Sequence, residues 1–303
     1  MKSNLSNLQD LIAHQLLFVT GKGGVGKTTL SFVLGLLAAK QGKRVLIVEL
    51  NASSLSVLVK GRKIGYQPEK ILSNYSNLHV INVDPHSAFE EYILMQIKFK
   101  SLYKAVFENK FVRYFIDATP GLADLMCIGK IYSLVKEYDL VIVDAPATGH
   151  GLALLTIPHI VSSAVKVGPL GHEAQRIDEL LHDEQKTEIV LVTIPEDMPV
   201  TETVELAEKL KSQNLKVGPL FLNQAREFVL TENDERLIQK SNLSEDLKGL
   251  VHLESVREDL LKYYRNILKD TFPDQINMPF MYSENFGLAE LEMIAEDVGK
   301  QIG

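Results

Sequence analysis

Short runs of branched apolar residues recur along the chain, separated by longer stretches whose apolar positions return every three or four residues. The runs at 15–20 (QLLFVT), 44–50 (RVLIVEL), 78–83 (LHVINV), 139–144 (DLVIVD), 188–194 (EIVLVTI), 217–223 (VGPLFLN) and 276–281 (INMPFM) predict seven strands. They are continuous rather than alternating, which suits strands covered on both faces. The pattern therefore predicts an α/β fold: a mostly parallel sheet with helices on both sides and ligands gathered beyond the strand ends. The first helix is expected from about Lys27 to Gln41, closed by Gly42.

One segment breaks the rhythm. FEEYILMQIKFKSLYKAVFENKFVRYF, residues 89–115, sits in a helical insertion expected around 85–135. Its apolar residues cover more than one helical face, which predicts burial on several sides, in the core or against a neighbour, with a small protein-binding surface as the alternative. At 303 residues the chain is long for one domain, yet a single elaborated α/β domain over 1–303 absorbs it.

The loop after the first strand carries the chemistry. Gly21, Gly26, Lys27 and Thr28 match the phosphate-loop pattern G-x-x-x-x-G-K-[ST]. Small residues let backbone N–H groups face phosphate oxygens, and the following helix points its positive end at the same anion. Residues 21–29 (Gly21, Lys22, Gly23, Gly24, Val25, Gly26, Lys27, Thr28, Thr29) thus read as a nucleotide cradle. Lys27 is expected on the β and γ phosphates, and the Thr28 hydroxyl on Mg²⁺. Asp144 ends an apolar strand, where a carboxylate can hold Mg²⁺ or its waters.

Charge and cysteine content remove other classes. A net charge of −7 argues against a surface built to neutralise nucleic acid. The single cysteine, Cys127, makes no internal disulfide and fits a reducing, cytoplasmic setting. The N-terminus lacks the apolar centre of a targeting segment, and the longest uncharged run, Ala145 to Val165, contains Pro, Gly and His, so no stable membrane insertion is expected.

A phosphate loop needs one lysine, and this one has two. The string G-K-G-G-V-G-K-T-T (21–29) resembles the deviant Walker A motif of dimeric ATPases that include the arsenite-pump ATPase, the tail-anchored-protein targeting ATPase, ParA, MinD and nitrogenase iron protein. VIVDAPATGHGLALL (141–155) resembles the switch II segment of the arsenite-pump and tail-anchored-targeting group. FLNQARE (221–227) and MPFMYSENFGLAEL (278–291) resemble the segments that flank its base. The resemblance runs with gaps from Gln15 to about Glu292. It implies an ATPase using ATP and Mg²⁺ between two subunits, a homodimer or a heterodimer with a paralogue, coupled to an unknown protein client. Lys22 would cross the interface to the partner's phosphates, and Asn223, Pro279 and Phe280 would lie beside the base. His150 reads equally as a switch residue or as packing.

Departures from the family pattern matter as much. Where the family has a water-orienting aspartate after the second strand, this chain has Asn51, an amide that cannot accept the proton; Glu49 is a nearby carboxylate of uncertain direction. Slow hydrolysis is therefore expected, and a nucleotide-gated scaffold with negligible turnover is the alternative. One cysteine per chain argues against arsenite, iron–sulfur and Cys-x-x-Cys zinc specialisations. The acidic C-terminus does not match a basic membrane-binding tail.

Overall fold

The computed structural model describes residues 7–50, 52–96, 119, 121–225, 232–241 and 244–303. Among these, β1 (Leu16–Thr20), β2 (Val45–Leu50), β3 (Glu69–Lys70), β4 (Leu78–Val83), β5 (Leu140–Asp144), β6 (Thr187–Thr193), β7 (Val217–Ala225) and β8 (Gln275–Pro279) form one sheet in the order β3-β4-β2-β5-β1-β6-β7-β8. Every neighbouring pair is parallel except β3 with β4. All seven expected strands are present, their ends within two residues. The eighth, β3, is a two-residue polar edge strand with no apolar run to announce it.

The helices are α1 (Leu8–Ala13), α2 (Lys27–Lys40), α3 (Ser54–Lys60), α4 (Pro85–Gln96), α5 (Leu122–Val135), α6 (Thr148–Ala164), α7 (Pro169–His182), α8 (Asp197–Ser212), α9 (Glu232–Lys240), α10 (Glu245–Leu268) and α11 (Leu288–Ile302). Helix α2 ends at Lys40, and Gly42 follows in the left-handed conformation at φ +85°, the chain reversal that lets it return into β2. The expected insertion contributes α4 and α5; residues 97–118 lie outside the described residues.

Successive strand residues point to opposite faces, so the sheet feeds two cores. Leu16, Phe18, Val48, Val143 and Leu191 join residues of α5, α7, α8 and α10 on one side. Leu17, Val19, Ile47, Ile142 and Val192 join α2 and α11 on the other. Burial on both faces is the physical reason the strands read as unbroken apolar runs. Among the described residues, no helix is long and apolar enough to cross a membrane.

Strand β1 sits between β5 and β6, and the chain leaves it through α2 toward β2, on the β5 side. The connection out of β5 returns to the opposite side of β1. That reversal opens a crevice at the carboxyl end of β1, where an open α/β sheet receives its ligands.

Candidate functional site

The loop of residues 21–26 fills this crevice. Gly21 has φ +154° and lies so close to β6 that a Cβ would stand 2.3 Å from the Val192 carbonyl oxygen. Gly26, at φ +102°, meets Asn223 in the same way: a Cβ would stand 2.1 Å from Asn223 Nδ2. Only glycine satisfies both the backbone angle and the close approach. Between these two fixed points Gly23 and Gly24 are exposed and Val25 is buried, anchoring the loop in the core. Lys27, Thr28 and Thr29 open α2, whose N-terminus points into the loop.

The three groups expected to handle phosphate and metal converge. Thr28 Oγ1 donates to Asp144 Oδ2 at 2.7 Å, across 116 residues of sequence. The parallel register of β1 and β5, with Val19 opposite Asp144, sets them at one level. Burial pushes the Asp144 carboxyl up to about 6, against the hydrogen bond from Thr28 and the charge of Lys27, while Glu49 on the adjacent strand pushes it further up. Lys27 is itself lowered by burial, with Asp144 pulling it back up. Its Nζ donates to the Lys22 carbonyl oxygen at 2.9 Å, folded over its own loop.

Lys22 faces outward. Its ammonium lies 2.8 Å from Glu202 Oε1 on α8. Sequence reasoning missed Glu202, because T-E-T-V-E-L-A-E reads as the solvated acidic face of an ordinary amphipathic helix. Nothing local links it to residue 22.

Glu49 has a definite direction. Fully buried at the end of β2, it accepts from the backbone amides of Leu55 (2.8 Å) and Ser56 (3.3 Å), fastening the start of α3. Burial raises its carboxyl above the usual range, and those hydrogen bonds partly offset this. Asn51 lies outside the described residues. Asn82 Nδ2 donates to Ser53 Oγ at 3.0 Å and ties the following turn to β4.

On the far side of the loop, Asn223 is nearly buried, and its amide is engaged within the chain. Nδ2 donates to the Val25 carbonyl at 2.8 Å and Oδ1 accepts from the Gln224 amide at 2.8 Å. Pro279 ends β8 opposite Ala225 of β7, which places Pro279 and Phe280 beside the Asn223–Gln224 corner. Phe280 stacks edge-on with Tyr282 at 5.0 Å. The segment from Asp144 continues into α6, whose first turn contains Gly149 and His150; His150 is exposed and faces Asp124, a carboxyl raised by burial. Cys127 is buried, its thiol pushed up to about 12, chiefly by burial and then by Asp124 and Asp84.

Comparison with known proteins shows the family. The family model described as "Anion-transporting ATPase" matches residues 14–169 and 164–300. The chain is 32% identical over 258 residues to "ATPase BagA" of Mycobacterium tuberculosis, covering 82% of this chain and 73% of that protein. It is 28% identical over 255 residues to "ATPase GET3" of Malassezia globosa, covering 73% and 75%. It is 24% identical over 348 residues to "ATPase ASNA1 homolog" of Plasmodium chabaudi chabaudi, covering 97% and 89%.

Proposed function

The chain belongs to the anion-transporting ATPase family and is an ATPase, and from that premise we propose that it is a switch in which two copies close on Mg²⁺–ATP. The observation that carries this reading is the meeting of Lys27, Thr28 and Asp144 at the carboxyl end of β1. Burial raises this carboxyl to about 6 despite the charge of Lys27, so it is only partly compensated, and a hydroxyl stands 2.7 Å from it. Two hard oxygen donors of this kind suit Mg²⁺. Thr28 and Asp144 would hold the ion, which when bound supplies positive charge to the phosphates.

The backbone amides of residues 23–29 cradle the triphosphate, and Lys27 gives up the Lys22 carbonyl for a phosphate oxygen. Lys22 leaves Glu202 and reaches the γ phosphate held by the second copy, where a cation stabilises charge that grows as the bond to the leaving ADP breaks. Asn51 orients the attacking water by hydrogen bonding without taking its proton. Asn223, Pro279 and Phe280 flank the base. Closure then reaches a client protein through α6, which begins in the switch segment and packs on α5 and α7. A cavity of about 410 Å³ between α4, α5 and α7 is the surface such a client would meet. The partner copy is this chain or a paralogue, working in the cytoplasm without nucleic acid or membrane insertion.

Mass in solution with ATP and Mg²⁺ tests the reading. The wild type is expected to pair only with nucleotide. Lys22→Ala should bind nucleotide, stay single and release little phosphate; a variant that pairs and turns over normally would refute the trans role.

A second reading, a nucleotide-gated scaffold with negligible hydrolysis, is favoured by Glu49. The carboxylate nearest Asn51 in sequence is committed to the start of α3 and does not replace the missing base. Steady-state phosphate release separates the two readings. A wild-type rate well above that of Lys22→Ala supports hydrolysis, and a rate no higher supports the scaffold.

A further inference from the structure

Lys22 is fastened at both ends within its own chain. Its carbonyl accepts from Lys27 at 2.9 Å, and its ammonium sits 2.8 Å from Glu202. The two fastenings share one frame. Gly21 backs onto the end of β6 at Val192, and from β6 the chain runs through residues 194–196 directly into α8, which bears Glu202. Helix α8 is locked by the buried Pro199, Val200, Thr203 and Leu206, so the carboxylate is delivered by a rigid element rather than a loop.

We propose that Glu202 is a cis anchor that sets the threshold for pairing: Lys22 exchanges this carboxylate for a phosphate held by a second copy. The inference rests on the trans role of Lys22 given above and deepens it. The two fastenings open in order. An arriving phosphate draws Lys27 off the Lys22 carbonyl, which frees the main chain at residue 22, and Glu202 alone then retains the ammonium. Nucleotide binding thereby arms the lysine before any partner is present.

The exposure of the bridge makes it fit for exchange. Both side chains are partly solvated, 26% for Lys22 and 35% for Glu202. A half-exposed pair of this kind shifts an equilibrium by roughly 1.4- to 5-fold. Closing two copies breaks two such bridges, so the anchor holds back pairing by roughly 2- to 30-fold. It is weak enough to yield to a triphosphate, and it biases the equilibrium away from pairing without one.

The test is Glu202→Gln, which keeps the shape and an acceptor but removes the charge. With Mg²⁺ and a non-hydrolysable ATP analogue, the pairing constant measured by sedimentation should tighten by roughly 2- to 30-fold. The affinity of the single chain for nucleotide should stay as in the wild type, and Glu202→Asp should restore part of the threshold. Adding Lys22→Ala to Glu202→Gln should abolish the gain, because the effect acts through that lysine. Unchanged or weaker pairing of Glu202→Gln, while Lys22→Ala still fails to pair, would overturn the anchor and leave the trans role standing. Normal pairing of Lys22→Ala would instead overturn the trans role itself.

Discussion

Replacing Asp144 by Asn tests how the site stores the charge that its ligand is to neutralise. The Asp144 carboxyl is raised from 3.8 to about 6, with burial as the leading cause. Below about pH 4 the group is neutral whether the chain is folded or not. Between about pH 4 and pH 6 the folded chain retains a proton that the unfolded chain has released, so stability falls as pH rises. The contribution of the neutral carboxyl is thus fully present below 3.8 and lost as pH passes through about 6. The move is worth roughly 3 kcal/mol.

Other carboxyls are shifted as well, Glu49, Asp124, Glu173 and Glu188 upward, chiefly by burial, and Glu69, Asp183 and Glu290 downward, chiefly by hydrogen bonds. The wild-type curve alone is therefore ambiguous, and the difference between wild type and Asp144→Asn isolates the site. Urea unfolding of both proteins from pH 4 to pH 8 without nucleotide should show the wild type losing roughly 3 kcal/mol relative to the variant. The Asn oxygen can still accept from Thr28, so the variant should fold. With Mg²⁺ and ATP at pH 8 the order reverses, since the ligand stabilises whichever chain binds it more tightly. A pH-independent difference would refute the account of Asp144 as a buried carboxyl whose partners do not offset its burial.

Three further outcomes follow from named contacts. Gly26→Ala introduces a Cβ 2.1 Å from Asn223 Nδ2 at a backbone φ of +102°; we expect a loss of roughly 2–3 kcal/mol in urea unfolding, with at least tenfold weaker nucleotide binding by fluorescence titration. Glu49→Ala removes the acceptor for the amides of Leu55 and Ser56 and should cost about 1–3 kcal/mol of unfolding free energy, with faster amide exchange at the start of α3. Asn51→Asp should raise the single-turnover rate of phosphate release, and an unchanged rate would show that residue 51 does not limit turnover.

The sequence displays chemistry that a contiguous stretch of backbone creates. Residues 21–29 are legible because the glycines, the lysine and the threonine act together over a single turn, and their place between a strand and a helix follows from local apolar pattern alone. Asp144 is legible one step further out: it ends an apolar run, and a parallel sheet brings strand ends to one level, as the pairing of Val19 with Asp144 shows. Strand β3 is illegible for the opposite reason. Glu69 and Lys70 pair with β4 as a short polar edge and bury nothing that would mark them.

What a residue does when several partners compete for it is not written locally. Glu49 sits opposite Asp144 on the neighbouring strand, so by register alone it is a second acid at the same edge. Two amides six and seven residues downstream decide otherwise, drawing it into the start of α3. Asn223 is likewise claimed by a carbonyl 198 residues away, and Lys22 by a carboxylate 180 positions on. In each case a polar group at the crevice has a partner within the chain. On the proposed reading, nucleotide binding would be a set of exchanges: Lys27 would trade the Lys22 carbonyl for a phosphate, the Thr28–Asp144 pair would open to hold Mg²⁺, and Lys22 would trade Glu202 for a phosphate on a second copy. Each exchange replaces an existing hydrogen bond or ion pair, so its net free energy is small, and the site can be reset when the phosphate departs.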